Sequence, residues 1–314
     1  MKPSLSALAA AAALVAILAQ SPSAAGKAAT PAIPIDPATG ARVEWLWPDG
    51  APGAQGNREA DRPSLLWYPV PAGDSASPAM IICPGGAYYM HALAKEGIEP
   101  ALWLNRLGVS AFILRYRLGP AYHHPAELSD ARRALRWVRA NARRLGIDPG
   151  RVGMLGFSAG GHLTALASVL PDPPRDGADS VERMSGVPDA QILIYPVISM
   201  AAPYAHRASR VNLLGKSPSE ALLDSLSAER HVGPGAPPAF LMHAEGDPIV
   251  AFANSKAYAD ALRKAGVPVE FAAFNQGGHA FGLAQEADGQ PGQAQLAAWP
   301  ALCGKWLKGI GFLR

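Results

Sequence analysis

From Leu65 onward the chain alternates short, almost unbroken apolar runs with segments of helical period, which neither an all-helical nor an all-sheet fold accommodates. Seven runs read as strands: Leu65 to Val70, Ala79 to Cys83, Ser110 to Tyr116, Val152 to Gly156, Ala190 to Tyr195, Ala239 to Ala244 and Val269 to Phe274. Most are apolar at successive rather than alternate positions, as strands covered on both faces require. The clearest helix runs from about Ala126 to Leu145, where Ala131, Ala134, Leu135, Val138, Ala142 and Leu145 recur at three- and four-residue steps. Arg132, Arg136, Arg139 and Arg143 fall on another face, and the expectation is a solvated basic face. Strands alternating with helices predict one α/β domain over residues 41–314, with a mostly parallel sheet and helices on both faces.

Composition adds exclusions. With 49% hydrophobic and 17% charged residues the chain is neither disordered nor fibrous. Its net charge of +3 and the absence of a dense Lys/Arg block argue against a nucleic-acid or membrane-surface partner. Two cysteines, Cys83 and Cys303, do not suffice for a Cys-based zinc site or a disulfide scaffold, and two buried free thiols are expected. No cluster with metal-ligand spacing is evident, so neither a metal nor a cofactor is expected.

The N-terminal segment reads as a signal peptide over residues 1–25. Lys2 supplies a positive n-region, Leu5 to Ala19 an apolar run, and Ser23-Ala24-Ala25 small residues before Gly26. The apolar run is short for a membrane-spanning helix, although a retained anchor is the alternative reading. A linker rich in Ala, Pro and Thr follows within residues 26–40. These features predict a secreted or periplasmic protein without a membrane span after signal removal.

The most informative segment is Gly156-Phe157-Ser158-Ala159-Gly160-Gly161-His162. A G-x-S-x-G between a strand and a helix is a nucleophile elbow. Its turn is so sharp that side chains at Gly156 and Gly160 would collide with neighbouring backbone. A serine hydroxyl needs a base to take its proton and a carboxylate to orient that base, in the chain order Ser, acid, His. Of eight histidines, His91, His123 and His124 precede the elbow, and His162 sits in the elbow helix. His206 and His231 lie in a loop-rich stretch, and His243 falls within a strand as a satisfied core residue. His279 remains, in Gly277-Gly278-His279-Ala280-Phe281-Gly282 just after the last strand. Asp247 follows the strand Ala239 to Ala244 in a turn shaped by Gly246 and Pro248; Glu245 is its rival. The predicted triad is Ser158, Asp247 and His279. Backbone N–H groups for an oxyanion hole are expected from Ala159 and, in Cys83-Pro84-Gly85-Gly86-Ala87-Tyr88, from Gly86 and Ala87.

With these residues in place, the stretch from Trp45 to Leu307 resembles the α/β-hydrolase superfamily. Within it the chain is similar to bacterial acetylxylan-esterase-like carbohydrate esterases, related to hormone-sensitive-lipase-type esterases. The resemblance is carried by Leu46 to Gly53, Cys83 to Tyr88, Leu114 to Leu118, Gly156 to His162, Tyr195 to Met200 and Gly277 to Gly282. It implies an α/β-hydrolase fold, an acetylated carbohydrate substrate, an acyl-enzyme intermediate and no cofactor. Relatives usually carry glycine where Ala87 and Ala280 stand; a positive φ at Ala87 would cost about 1 kcal/mol and favour a different acyl size. Some relatives are labelled xylanases, but the paired carboxylates of a glycosidase are not evident here.

Pro171 to Pro188 and Pro203 to Pro238 read as insertions over the site. Tyr88 and Tyr89 are expected to line the pocket, whereas His206, Arg207 and Arg210 fit surface charge better than substrate contacts. The rival functions are a lipolytic carboxylesterase, a serine peptidase and a non-catalytic binding module; the last has no use for an ordered triad.

Overall fold

The computed structural model describes residues 35–37, 39–71, 73, 75–172, 179–285 and 292–314. The expected signal peptide lies outside the described residues, as does most of the expected linker. Eight strands form one sheet: β1 (Arg42–Trp45), β2 (Ser64–Tyr68), β3 (Ser77–Cys83), β4 (Ser110–Arg115), β5 (Ile147–Phe157), β6 (Gln191–Ile194), β7 (Ala239–Ala244) and β8 (Val269–Phe274). Their order is β1-β2-β4-β3-β5-β6-β7-β8. β1 and β2 run antiparallel to their neighbours and the rest are parallel. The helices are α1 (Glu99–Arg106), α2 (Ala126–Ala140), α3 (Ala142–Leu145), α4 (Ser158–Val169), α5 (Arg207–Leu214), α6 (Glu220–Ser225), α7 (Ala253–Lys264), α8 (Gln293–Leu296) and α9 (Trp299–Gly309).

The unbroken apolar runs follow from burial on both faces. In β3, Ala79, Ile81 and Cys83 join one core with Leu135 and Val138 of α2, Leu163 and Leu166 of α4, and Leu262 of α7. Met80 and Ile82 join the opposite core with Leu104 of α1 and Trp299 and Leu307 of α9. Each fully buried Leu, Ile or Val contributes roughly 1.5–3 kcal/mol relative to exposure. Cys83 and Cys303 are free and buried in different cores, and burial pushes the Cys83 thiol up to about 12, which leaves it inert.

Three expectations need correction. The four-residue edge strand β1 escaped notice, because so short a segment shows too little periodicity. The long helix expected from Ala126 to Leu145 is two helices broken at Asn141, whose amide Nδ2 donates to the Trp137 carbonyl at 2.9 Å. Of the four arginines expected on a solvated face, Arg143 is exposed and the other three are not. Arg132, Arg133 and Arg136 are buried, and Arg139 pairs with Asp189 at 2.9 Å. Arg133 meets Asp179 and Glu182 at 2.6 and 2.9 Å, and Arg136 pairs with Asp172. The described part of the 171–188 segment therefore supplies carboxylates to α2.

Pairing register sets the height of each strand end. Cys83 lies opposite Gly156, Phe157 opposite Ile194, Ile194 opposite Met242, and Ala244 opposite Phe274. The loops after β3, β5, β7 and β8 thus leave one edge of the sheet together, the carboxyl edge where sites of open α/β sheets collect.

Candidate active site

β5 passes directly into α4, and the residue at the junction is Ser158, held at φ +51° and only 6% exposed. A Cβ on Gly156 would lie 2.2 Å from the Gly160 carbonyl oxygen, and one on Gly160 would lie 2.0 Å from that of Cys83. The collisions expected from the motif are therefore real. The strained serine is tolerated because strand and helix over-determine it.

The loop after β8 brings His279 to this turn. Its Nε2 lies 2.9 Å from Ser158 Oγ and its Nδ1 lies 2.6 Å from Asp247 Oδ2. A carboxylate only accepts, so these partners assign the proton to Nδ1 and leave the Nε2 lone pair facing the serine hydroxyl. Asp247 Oδ1 accepts the amides of Ile249 and Val250 at 2.8 and 3.0 Å. Burial pushes the Asp247 carboxyl up, but hydrogen bonds from His243 and His279, the His279 charge and the Val250 amide outweigh it. The group is held well below the usual carboxylate range. Glu245, its rival, has no hydrogen-bond contact with His279 among the described residues, and its amide donates to Phe274.

His243 is buried and satisfied, with Nδ1 2.7 Å from Ser255 Oγ. Its Nε2 donates to Asp247 Oδ2 at 3.2 Å and the Val250 carbonyl at 3.0 Å, so it also braces the acid, a contact not read from the sequence. His162 is neighbour to Ser158 in the helix but spends both nitrogens elsewhere: Nε2 donates to the Leu226 carbonyl and Nδ1 accepts from Tyr88, both at 2.8 Å. Burial lowers its pKa to about 4.

After β3 the chain turns at Gly86 (φ +124°), where a Cβ would lie 2.1 Å from the Met90 carbonyl oxygen. The Gly86 carbonyl accepts the amides of Tyr89 and Met90, and Asn212 Nδ2 donates to the Ala87 carbonyl at 2.9 Å. Among the described residues the amides of Gly86 and Ala87 donate no hydrogen bond. Ala159 is in the first turn of α4, where N–H groups have no helical partner. Ala87 (φ +55°) and Ala280 (φ +57°) both occupy the left-handed region, which favours glycine.

The two tyrosines separate. Tyr88, expected in the pocket, is 1% exposed, packs edge-on against Tyr116 and His162 and gives its hydroxyl to His162. It is packing beneath the loop rather than a pocket wall. Tyr89 is 64% exposed, at the rim of a cavity of about 500 Å³ also lined by Glu59, His91, Arg115 and Tyr122. Arg207 and Arg210 line a different cavity with Val211, Lys216 and Leu223, and the walls of neither cavity include any of the predicted triad. Of the 203–238 segment, Asn212 reaches the loop after β3 and Leu226 reaches His162. His206 lies close enough to His279 that burial and the His279 charge lower its pKa.

Among the described residues no His, Cys, Asp and Glu side chains group to hold a metal ion, and no helix is long and apolar enough to cross a membrane. Ser158, as nucleophile candidate, thus has an oriented imidazole on one side and unpaired amides in the adjoining loop, an arrangement suited to acyl transfer.

The chain is 34% identical over 227 residues to endo-1,4-beta-xylanase B of Butyrivibrio fibrisolvens, covering 71% of this chain and 35% of the relative. It is 34% identical over 210 residues to an acetylxylan esterase of Xylanibacter ruminicola, covering 65% of this chain and 41% of the relative. The chain therefore spans well under half the length of these two curated relatives. An acetyl ester-xyloside bifunctional hydrolase from Caldicellulosiruptor lactoaceticus superposes with a TM-score of 0.80 at 38% identity, covering 91% of this chain and all of that one. Residues 80–283, which include Ser158, Asp247 and His279, match the family described by the alpha/beta hydrolase fold, and the chain belongs to that family.

Proposed function

We propose that the chain is a serine ester hydrolase that removes acetyl groups from plant polysaccharide or its fragments. The observation that carries the esterase reading is His279, with Nε2 on Ser158 Oγ at 2.9 Å and Nδ1 on Asp247 at 2.6 Å. Ser158 Oγ attacks the acetyl carbonyl carbon while its proton passes to His279 Nε2. The oxyanion is held by the amides of Ala159, Gly86 and Ala87. The sugar oxygen then leaves with the proton from His279, and an acetyl-enzyme remains. Water attacks the acetyl carbon as His279 takes its proton, acetate departs, and Ser158 recovers its hydrogen. Asp247 stays ionised throughout and stabilises the imidazolium formed in each half-reaction.

The acetylated carbohydrate is supported by two similar proteins, one named an acetylxylan esterase and the other an acetyl ester-xyloside hydrolase. The pattern from Lys2 to Ala25 supports action outside the cytoplasm. The test is acetate release from acetylated xylo-oligosaccharides, run beside acetate, butyrate and octanoate aryl esters without added metal. Acetate esters should be cleaved at least about tenfold faster than butyrate esters. Faster octanoate turnover with no release of sugar-bound acetate would replace this reading with a lipolytic carboxylesterase.

A further inference from the structure

Glu96 lies in a π-helical turn, Ala94–Ile98, that leads into α1, and it is 2% exposed. Among the described residues its carboxylate makes no ion pair with an arginine or lysine. A buried carboxylate without a cation is costly, so its hydrogen bonds must compensate. Its Oε2 accepts the Gly85 amide at 2.8 Å, and its Oε1 faces the Tyr195 hydroxyl at 2.9 Å. The Gly282 amide donates to that same hydroxyl oxygen at 3.0 Å, which leaves the hydroxyl proton for Glu96. Both carboxylate oxygens therefore accept, an arrangement suited to the ionised form.

The partners give these bonds their meaning. Gly85 immediately precedes the proposed oxyanion amides, and Gly282 closes the loop that carries His279. A Cβ on Gly85 would stand 2.5 Å from Glu96 Oε2 and 2.9 Å from Ser158 Cβ, so only glycine lets carboxylate and elbow approach this closely. Tyr195 is held at φ +38°, and its ring lies against that of His279 with centroids 4.7 Å apart. The Gly282 carbonyl is in turn taken by Trp299 Nε1 at 3.0 Å. Burial raises the Glu96 carboxyl, while the bonds from Tyr195 and Gly85 and the charge of His279 oppose that rise.

We infer that Glu96, acting through Tyr195, is a positioning residue that references the oxyanion loop and the base loop to one buried carboxylate. It touches no reacting atom; it sets the distance between the amides that receive the oxyanion and the imidazole that moves the proton. The inference rests on the proposed serine esterase reading, and its consequence is a defect in turnover rather than in substrate binding. Glu96→Gln leaves one oxygen to accept the Gly85 N–H and turns an amide N–H toward the Tyr195 hydroxyl oxygen, which already accepts from Gly282, so the Tyr195 proton loses its acceptor. Misplacement by a fraction of an ångström to 1 Å at such a site costs up to about 100-fold in rate.

The test uses the full chain with an aryl acetate, and counts active sites by stoichiometric labelling of Ser158 with an organophosphate. Glu96→Gln should lower kcat per labelled site by roughly 10- to 100-fold with KM within about twofold. Tyr195→Phe deletes a single oxygen and should lower kcat per site in the same way. The double variant should be no worse than the worse single one, because both break one relay. Variants that lose labelled sites while keeping kcat per site, or a double variant with additive losses, would overturn the inference. If Glu96→Gln does not fold, unchanged kcat per site in Tyr195→Phe overturns it alone. An inactive wild-type chain, or one as active after Ser158→Ala, marks failure of the esterase reading instead.

Discussion

The loops after β3 and β8 look alike in sequence and do opposite work in the structure. Both are glycine-rich, both leave the carboxyl edge of the sheet, and each places an alanine in the left-handed region. The β8 loop delivers a side chain: His279 reaches Ser158 and Asp247. On the proposed mechanism the β3 loop delivers backbone, and its contacts serve to hold it: Gly85 on Glu96, the Ala87 carbonyl on Asn212, and Tyr88 on His162. Where a loop supplies a side chain its residue type announces the chemistry. Where it supplies amides, the residues that secure them lie far away in the chain.

The sharpest way to break this comparison is at the β8 loop. On the proposed mechanism, His279→Ala should reduce ester hydrolysis by about 10⁴-fold or more, leaving only what the oxyanion amides and substrate binding provide. Asp247→Asn should cost a comparable factor by disturbing the His279 tautomer, with little loss of folding while Ile249 and Val250 still have an acceptor. Rates are to be measured per mole of folded protein. A His279→Ala variant that kept a tenth of the wild-type rate would remove the imidazole from the mechanism.

The same contrast explains what could be read from the chain. The strand runs from β2 to β7 were legible because burial on both faces leaves few polar residues, and the elbow because its glycines have no substitute. β8 was legible because its run is apolar apart from Glu270, although it is a half-exposed edge strand. Ser158, Asp247 and His279 were proposed from residue type, order and place after a strand, and the fold brings them within hydrogen-bond distance. Glu96 and Asn212 were not, since a lone carboxylate in a π-helical turn or a lone amide in the short helix α5 carries no pattern of its own and meets its partner only in the fold. The arginines of α2 were misread for the same reason: their carboxylate partners lie at Asp172, Asp179, Glu182 and Asp189, in an apparently loose segment.

His162 tests the anchoring of the β3 loop, with a smaller effect. It is fully buried, and its pKa falls from 6.5 to about 4 through burial. Between those values the unfolded chain binds more protons than the folded one, so stability rises with pH across this window and is lost on acidification. The shift corresponds to about 3 kcal/mol between pH 7 and pH 4. His162→Gln can still accept from Tyr88 and donate toward Leu226, but it does not titrate. Denaturant unfolding at the two pH values should therefore show roughly that much less acid destabilisation in the variant. Equal acid sensitivity in both proteins would mean that His162 is not held neutral by the fold.

The mildest effect separates the two loops at their matched alanines. A non-glycine residue in the left-handed region costs about 1–2 kcal/mol, part of which glycine returns as unfolded-state entropy. Ala87→Gly and Ala280→Gly should each raise stability by up to about 1 kcal/mol, measured as a shift in denaturant midpoint at constant m-value. Their effects on selectivity should differ. Ala87 is half-buried in the loop assigned to the oxyanion, whereas Ala280 is exposed. On the proposed reading, removing the Ala87 methyl opens space for an acyl chain, so the butyrate-to-acetate ratio of kcat/KM should rise up to about tenfold. Ala280→Gly should leave that ratio unchanged. Equal shifts from both substitutions would mean that acyl length is not read at the β3 loop, and destabilisation by either glycine would mean that its alanine is unstrained.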